Sequence, residues 1–212
     1  MNTNVTKEAK DESKCFVKEL CIKNDIAVGF GWVKEQENKS ENHYSIIDAQ
    51  GNEIFDYQKI HPFSYGGENE KFIKGNEIKN CRMCEHVITA FICYDLRFPI
   101  LFQYMPDDID IVIVPANWPQ RRSGNWKCLL QARAIENQVY ILGINCVGNI
   151  NGLSYSGDSC IINPLGEIQE QISNAEGIIY ADIQNDVNKF RIDFPMRQDR
   201  RFDLYKTIFG NL

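Results

Sequence analysis

Two near-continuous apolar runs, Val87 to Cys93 and Ile109 to Pro115, constrain this chain more than any other feature. A strand that is apolar on both sides needs cover on both sides, as in a parallel sheet layered between other elements. Segments of helical spacing follow each run. Pro99 to Met105 opens with proline near its first turn, and Asn125 to Gln138 places Trp126, Leu129, Leu130, Ala134 and Asn137 on one face. Such alternation predicts an α/β layered fold with helices covering the sheets.

The remaining elements fit around that centre. Glu12 to Lys23 suits an amphipathic helix ended by Asn24-Asp25, and Ile26 to Val33 reads as a strand. His43 to Asp48 and Glu53 to Lys59 flank the turn Ala49-Gln50-Gly51-Asn52 as a hairpin. Val139 to Val147, Ser159 to Asn163 and Gly177 to Asp182 are predicted as three further strands.

At 212 residues, without internal repeats or a Pro/Gly-rich linker, the chain is expected to form one domain over residues 1–212. A domain of this size buries roughly 70% of its unfolded surface, so its core needs neither disulfides nor metal. The 23 Lys and Arg against 29 Asp and Glu give a net charge of -6. That balance argues against nucleic acid and anionic membranes as partners and favours a small molecule. No apolar run is long enough to span a bilayer, and Met1 to Ser13 lacks a secretory signal, so a cytoplasmic protein is expected. Most of the eight cysteines are expected to be buried thiols, and Cys81 and Cys84 lack the complementary ligands of a zinc site.

Cys93 ends one apolar run and opens the turn Tyr94-Asp95-Leu96-Arg97. Such a junction can present a thiol at a pocket edge, although an isolated cysteine after Phe91 and Ile92 also reads as packing. Lys59, in Tyr57-Gln-Lys-Ile-His-Pro-Phe63, ends a strand, where a solvated lysine is ordinary. Placed near a thiol, its ammonium lowers the thiol pKa and stabilises an oxyanion. The alternative cysteine–histidine pair would draw on His43, His61 or His86, none in a context that favours it, and His61 is the one such a hydrolase is expected to use.

Together with Phe91-Ile-Cys-Tyr-Asp-Leu-Arg-Phe-Pro99 and Pro115-Ala-Asn-Trp-Pro119, the Lys59 segment resembles the nitrilase, or carbon–nitrogen hydrolase, superfamily. The similarity continues through Leu130-Gln-Ala-Arg-Ala-Ile-Glu-Asn-Gln138, Tyr155-Ser-Gly-Asp-Ser159, Asn163-Pro-Leu-Gly-Glu167 and Arg200-Arg-Phe-Asp-Leu-Tyr205, and its wording is most like the ω-amidase branch. The resemblance implies a four-layer α-β-β-α sandwich that pairs into homodimers, and a small linear amide as substrate with no cofactor. It implies that Cys93 attacks the amide carbonyl while Lys59 and the Tyr94 backbone N–H hold the oxyanion. Glu68 falls where the family has a glutamate beside the lysine, and Asn117 and Trp118 where a substrate pocket is walled. Trp118 reads equally as a packing aromatic. Arg121 and Arg122 read as a carboxylate fork or, preferably, as a solvated loop pair.

One part of the pattern is missing. The family's general base is a glutamate in a Pro-Glu motif upstream of the first strand, yet the first proline here is Pro62. Glu8, Glu12 and Glu19 match no motif. The chain is therefore expected to lack the family's opening strand, helix and strand. It should turn over slowly or serve as a catalytically silent partner in assembly.

Overall fold

The apolar runs occupy the middle of the larger of two sheets in the computed structural model, which describes residues 12–210. Helix α1 (Glu12–Asn24) precedes β1 (Val28–Lys34), β2 (Ser40–Ile47) and β3 (Glu53–Gln58), with β2 central and antiparallel to both neighbours. A short helix, α2 (Glu68–Lys71), leads into β4 (Phe72–Ile73), which runs parallel to the start of β2. The second sheet takes β5 (Cys81–Met83) and β6 (His86–Ala90), then β7 (Ile111–Ala116) after helix α3 (Pro99–Gln103). Helix α4 (Ser123–Asn137) connects to β8 (Tyr140–Asn145), followed by β9 (Val147–Ile150), β10 (Leu153–Ile162) and β11 (Ile168–Ser173). Helices α5 (Val187–Asp193) and α6 (Phe202–Phe209) come last among the described elements.

The larger sheet is ordered β11-β10-β8-β7-β6-β5, with β9 paired to β10. Within it, among the described strands, only the β6–β7 and β7–β8 pairings are parallel, joined by the helical crossovers that hold α3 and α4. The one polar residue in the second apolar run, Asp110, is buried and satisfied: its carboxylate accepts the Val87 N–H at 2.9 Å. Thr89 in β6 likewise donates its hydroxyl to the Lys79 carbonyl at 2.6 Å. Buried polar groups of this kind are tolerated because each has a partner.

Strand periodicity divides β2 between two environments. Tyr44 and Ile46 join the main core with Phe55 and Tyr57, while His43 and Ser45 face the side of α1, whose Lys14 ammonium lies 3.9 Å over the Trp32 ring. On the far side of the larger sheet, α4 packs against β8 and β10. Gly143 makes that approach possible: a Cβ there would meet Leu130 Cδ1 at 2.5 Å and the Trp126 ring at 3.1 Å. The layers are thus α1, the smaller sheet, the larger sheet and α4, the expected α-β-β-α sandwich. No helix among the described residues is long and apolar enough to cross a membrane.

Three expectations need correction. Gly177 to Asp182 forms no strand, and Ile178 and Tyr180 stand 75% and 77% exposed; the edge position beside β10 is taken by β11 instead. The first apolar run leaves the sheet at Ala90, three residues before Cys93. Among the cysteines only Cys21, Cys81 and Cys160 are buried; Cys93 and Cys146 are half-buried, and Cys15, Cys84 and Cys128 are exposed.

Candidate active site

Lys59 leaves β3 with its backbone held on both sides. Its N–H donates to the Asn42 carbonyl at 2.8 Å, and its own carbonyl accepts the Gly75 N–H at 2.8 Å. Only glycine fits at position 75, where a Cβ would lie 2.2 Å from the Gln58 carbonyl oxygen. The Lys59 side chain is buried, and its Nζ meets Glu68 Oε2 at 2.6 Å. Glu68, equally buried at the start of α2, also accepts the Phe63 N–H at 2.8 Å. The pair is therefore a fixed ammonium with an anchored counter-charge. Buried ion pairs persist only with such additional hydrogen bonds.

Cys93 reaches the same place from the larger sheet. Beyond β6, the Phe91 N–H still bonds to the Ile113 carbonyl at 2.9 Å, and the chain then turns at Cys93, whose φ of +49° lies in the left-handed region. A non-glycine residue held there costs on the order of 1–3 kcal/mol and persists only where its surroundings enforce it. Cys93 opens a 3-10 segment through Arg97, and the buried Arg133 of α4 grips that segment by donating Nε and Nη2 to the Leu96 carbonyl at 3.2 and 2.9 Å. Burial pushes the Cys93 thiol above its ordinary pKa. The Lys59 ammonium and a hydrogen bond from the Asn117 backbone N–H pull it down, and the Glu68 and Asp95 charges add smaller upward pushes.

The thiol borders a cleft of about 180 Å³ that opens to solvent. That is room for a small molecule. Glu68, Cys93, Tyr94, Asn117 and Trp118 all line it; Lys59 does not line it, but pairs with Glu68, which does, and its charge acts on the Cys93 thiol. Trp118 is buried against Trp126, with ring centroids 5.5 Å apart, and it also lines the cleft. The Asn145 side chain holds its loop, accepting the Trp118 N–H at 2.7 Å and donating to the Trp118 carbonyl at 3.0 Å.

His61 does not line the cleft; its Nδ1 is 2.9 Å from Asp95, and its ring stacks on Phe98 at 3.7 Å. Glu12 and Glu19 are exposed on α1, and Glu8 lies outside the described residues. Among the described residues, Glu68 is the one carboxylate that lines the cleft.

A carbon-nitrogen hydrolase family profile matches residues 2–192. The chain belongs to the carbon–nitrogen hydrolase family. The chain is 37% identical over 151 residues to the protein named omega-amidase YafV of Yersinia enterocolitica, a match covering 71% of this chain and 58% of that protein. It thus spans less than two thirds of that relative's length. A 2-oxoglutaramate amidase of Bacillus subtilis is 31% identical over 196 residues, covering 91% of this chain and 76% of its own. The crystal structure of XC1258, a CN-hydrolase superfamily protein from Xanthomonas campestris, superposes with a TM-score of 0.89 at 28% identity, over 94% of this chain and 80% of that one.

Much of the cleft wall comes from residues to which the sequence assigns no role. Arg97, placed 4.6 Å over the Trp118 ring, and the aromatic residues Phe63, Tyr65 and Tyr155 all contribute to it. The arginine pair favoured as a solvated loop proves mixed. Arg121 is exposed, whereas Arg122 is half-buried 5.6 Å from the Phe63 and Tyr65 rings, and both border the cleft. The available signal was the position of Arg97 in the Cys93 motif and of Arg121 and Arg122 just after the Trp118 motif.

Proposed function

We propose that this carbon–nitrogen hydrolase is an amidase converting a small linear amide, the ω-amide of a 2-oxo dicarboxylate, to a carboxylate and ammonia through a thioester on Cys93. The observation that carries the reading is the convergence of a strained, half-buried cysteine with a buried Lys59–Glu68 pair at one cleft. Relatives named omega-amidase and 2-oxoglutaramate amidase support the substrate class. So do Arg97, Arg121 and Arg122 at the cleft, because guanidinium forks suit a carboxylate at the far end of the amide.

In this reading Cys93 Sγ bonds to the amide carbon, and the carbonyl oxygen takes up negative charge between Lys59 Nζ and the Tyr94 N–H. Preorganised donors of this kind supply the largest single share of many rate enhancements. Collapse of the adduct breaks the C–N bond, and the nitrogen leaves as ammonia carrying the thiol's proton. Water then cleaves the thioester, returning a proton to sulfur and releasing the carboxylate. Glu68 holds Lys59 in place, and Asn117 and Trp118 wall the substrate. General acid–base assistance is worth typically about 10²- to 10⁴-fold. With Glu68 committed to Lys59 and no other described carboxylate lining the cleft, this reading expects slow turnover. The same feature favours the second reading, a catalytically silent chain with an assembly role. A homodimer, which the family resemblance implies, and the cytoplasmic setting expected from the sequence belong to either reading.

Ammonia release from 2-oxoglutaramate by the purified protein, with mass spectrometry of the acid-quenched chain, tests the proposal. The expected result is slow release that Cys93→Ala abolishes, with an acyl mass increase on Cys93. Folded protein that gives neither ammonia nor adduct overturns the amidase reading in favour of the silent one.

A further inference from the structure

We infer that Asp95 is a positioning residue that locks the nucleophile turn to the lysine segment, setting the placement of Cys93 relative to Lys59. The inference rests on the reading of these two residues as the reacting pair, and it concerns a residue that touches neither substrate nor the reacting atoms.

The Asp95 carboxylate is wholly buried, and four donors surround it. Oδ2 accepts the Tyr57 hydroxyl at 2.9 Å and the Ile92 N–H at 3.0 Å. Oδ1 accepts the His61 N–H at 2.8 Å and lies 2.9 Å from His61 Nδ1. Tyr57 and His61 stand two residues before and two residues after Lys59, while Ile92 and Asp95 bracket Cys93. A single carboxylate therefore bridges the two chain segments, one from each sheet, that carry the thiol and the ammonium.

The same group also enforces the strained turn. The Asp95 N–H donates to the Ile92 carbonyl at 3.1 Å while the Asp95 side chain accepts from the Ile92 N–H, so Cys93 is clasped from both sides at φ +49°. Electrostatics alone gives no reason for an acid here, since its charge disfavours the thiolate. What four convergent hydrogen bonds provide is geometry. A misplacement of about 1 Å can cost on the order of 100-fold in rate.

The test compares Asp95→Asn and Tyr57→Phe with the parent protein by two measurements. One is steady-state kcat and KM for amide hydrolysis; the other is the pH of half-maximal alkylation of Cys93 by iodoacetamide, followed by mass spectrometry. Positioning predicts that Asp95→Asn lowers kcat on the order of 100-fold with KM within threefold, because an amide cannot accept on both sides. It also predicts that the alkylation midpoint rises as Lys59 and the thiol draw apart. Simple loss of a negative charge moves that midpoint down, so its sign separates the two accounts. Tyr57→Phe changes no charge and removes one tether, and it should raise the midpoint in the same direction. It carries the test alone where Asp95→Asn does not fold. An unchanged midpoint in Tyr57→Phe, or a lowered one in Asp95→Asn, overturns the inference. Alkylation needs no turnover, so failure of the amidase reading leaves this measurement intact and is told apart from failure of the inference.

Discussion

Glu68 shows how much one side chain can hold. Its carboxylate accepts from both Lys59 Nζ and the Phe63 N–H, and neither it nor the lysine has more than a trace of solvent contact. Removing one partner of a buried ion pair leaves an uncompensated charge, at a cost of about 3–5 kcal/mol. Glu68→Gln keeps the shape and the Phe63 contact but strips the counter-charge. The expected outcome is a loss of stability of that size in urea denaturation, with weakened ammonia release as Lys59 loses its fixed position. A change below about 0.5 kcal/mol, the range of ordinary surface substitutions, would show that the pair is not the buried clamp described. The sequence disclosed Glu68 only through its family motif, since a glutamate in Gly-Gly-Glu-Asn-Glu otherwise reads as a loop charge.

Among the secondary-structure elements, what was legible depended on burial. Strands β6 and β7 and helix α4 carry apolar patterns imposed by the core, and all three were readable to within a few residues. Strand β11 was not: Ile168-Gln-Glu-Gln-Ile-Ser lies at the sheet edge with five of its six side chains exposed, so no apolar signature marks it. Gly177 to Asp182 failed in the opposite direction: its consecutive apolar residues form no strand, and Ile178 and Tyr180 stay in solvent. The contact of α4 with β8 turns on Gly143, whose added methyl would collide with Leu130. Gly143→Ala should cost about 1–3 kcal/mol by overpacking. Leu130→Ala, at a fully buried position, should cost about 2–5 kcal/mol by leaving a cavity. Urea denaturation of the double variant should show a loss smaller than the sum, because the alanine methyl at 143 fills part of the space vacated by Leu130. Strict additivity would mean that the two side chains do not share that space.

Across the whole molecule, each outer helix meets its sheet near a charged cluster, and these clusters make stability depend on pH. Under α4, Asp158 accepts Ser123 at 2.8 Å and Ser173 at 2.7 Å and pairs with Lys127 at 2.8 Å, joining that helix to β10 and β11. Burial pushes its pKa up, but Lys127 and the hydroxyls of Ser156, Ser173 and Ser123 prevail and hold it well below the ordinary 3.8. On the α1 side, His43 lies between Asp56 and Glu41 at 3.0 and 2.9 Å; burial pushes it down, yet the two carboxylates win and raise it above 6.5, while Asp56 and Glu41 are themselves held low. A group with a depressed folded pKa contributes stability above its unfolded value and loses it as pH falls towards the folded one. Asp158, Asp56 and Glu41 therefore set an acid limb that begins near pH 4. A raised group behaves in the opposite sense: the His43 contribution is complete below 6.5 and fades as pH climbs through its folded value. Thermal unfolding between pH 3 and 9 should accordingly peak between these limbs. Asp158→Asn should lower the peak and make the acid limb shallower while leaving the decline above pH 6.5 in place, and His43→Gln should remove that upper decline and spare the part of the acid limb due to Asp158. An Asp158→Asn profile parallel to the parent's below pH 4 would mean that the carboxylate is not held in its charged form by the hydroxyls and ammonium around it, and the joint between α4, β10 and β11 would then have to rest on packing alone.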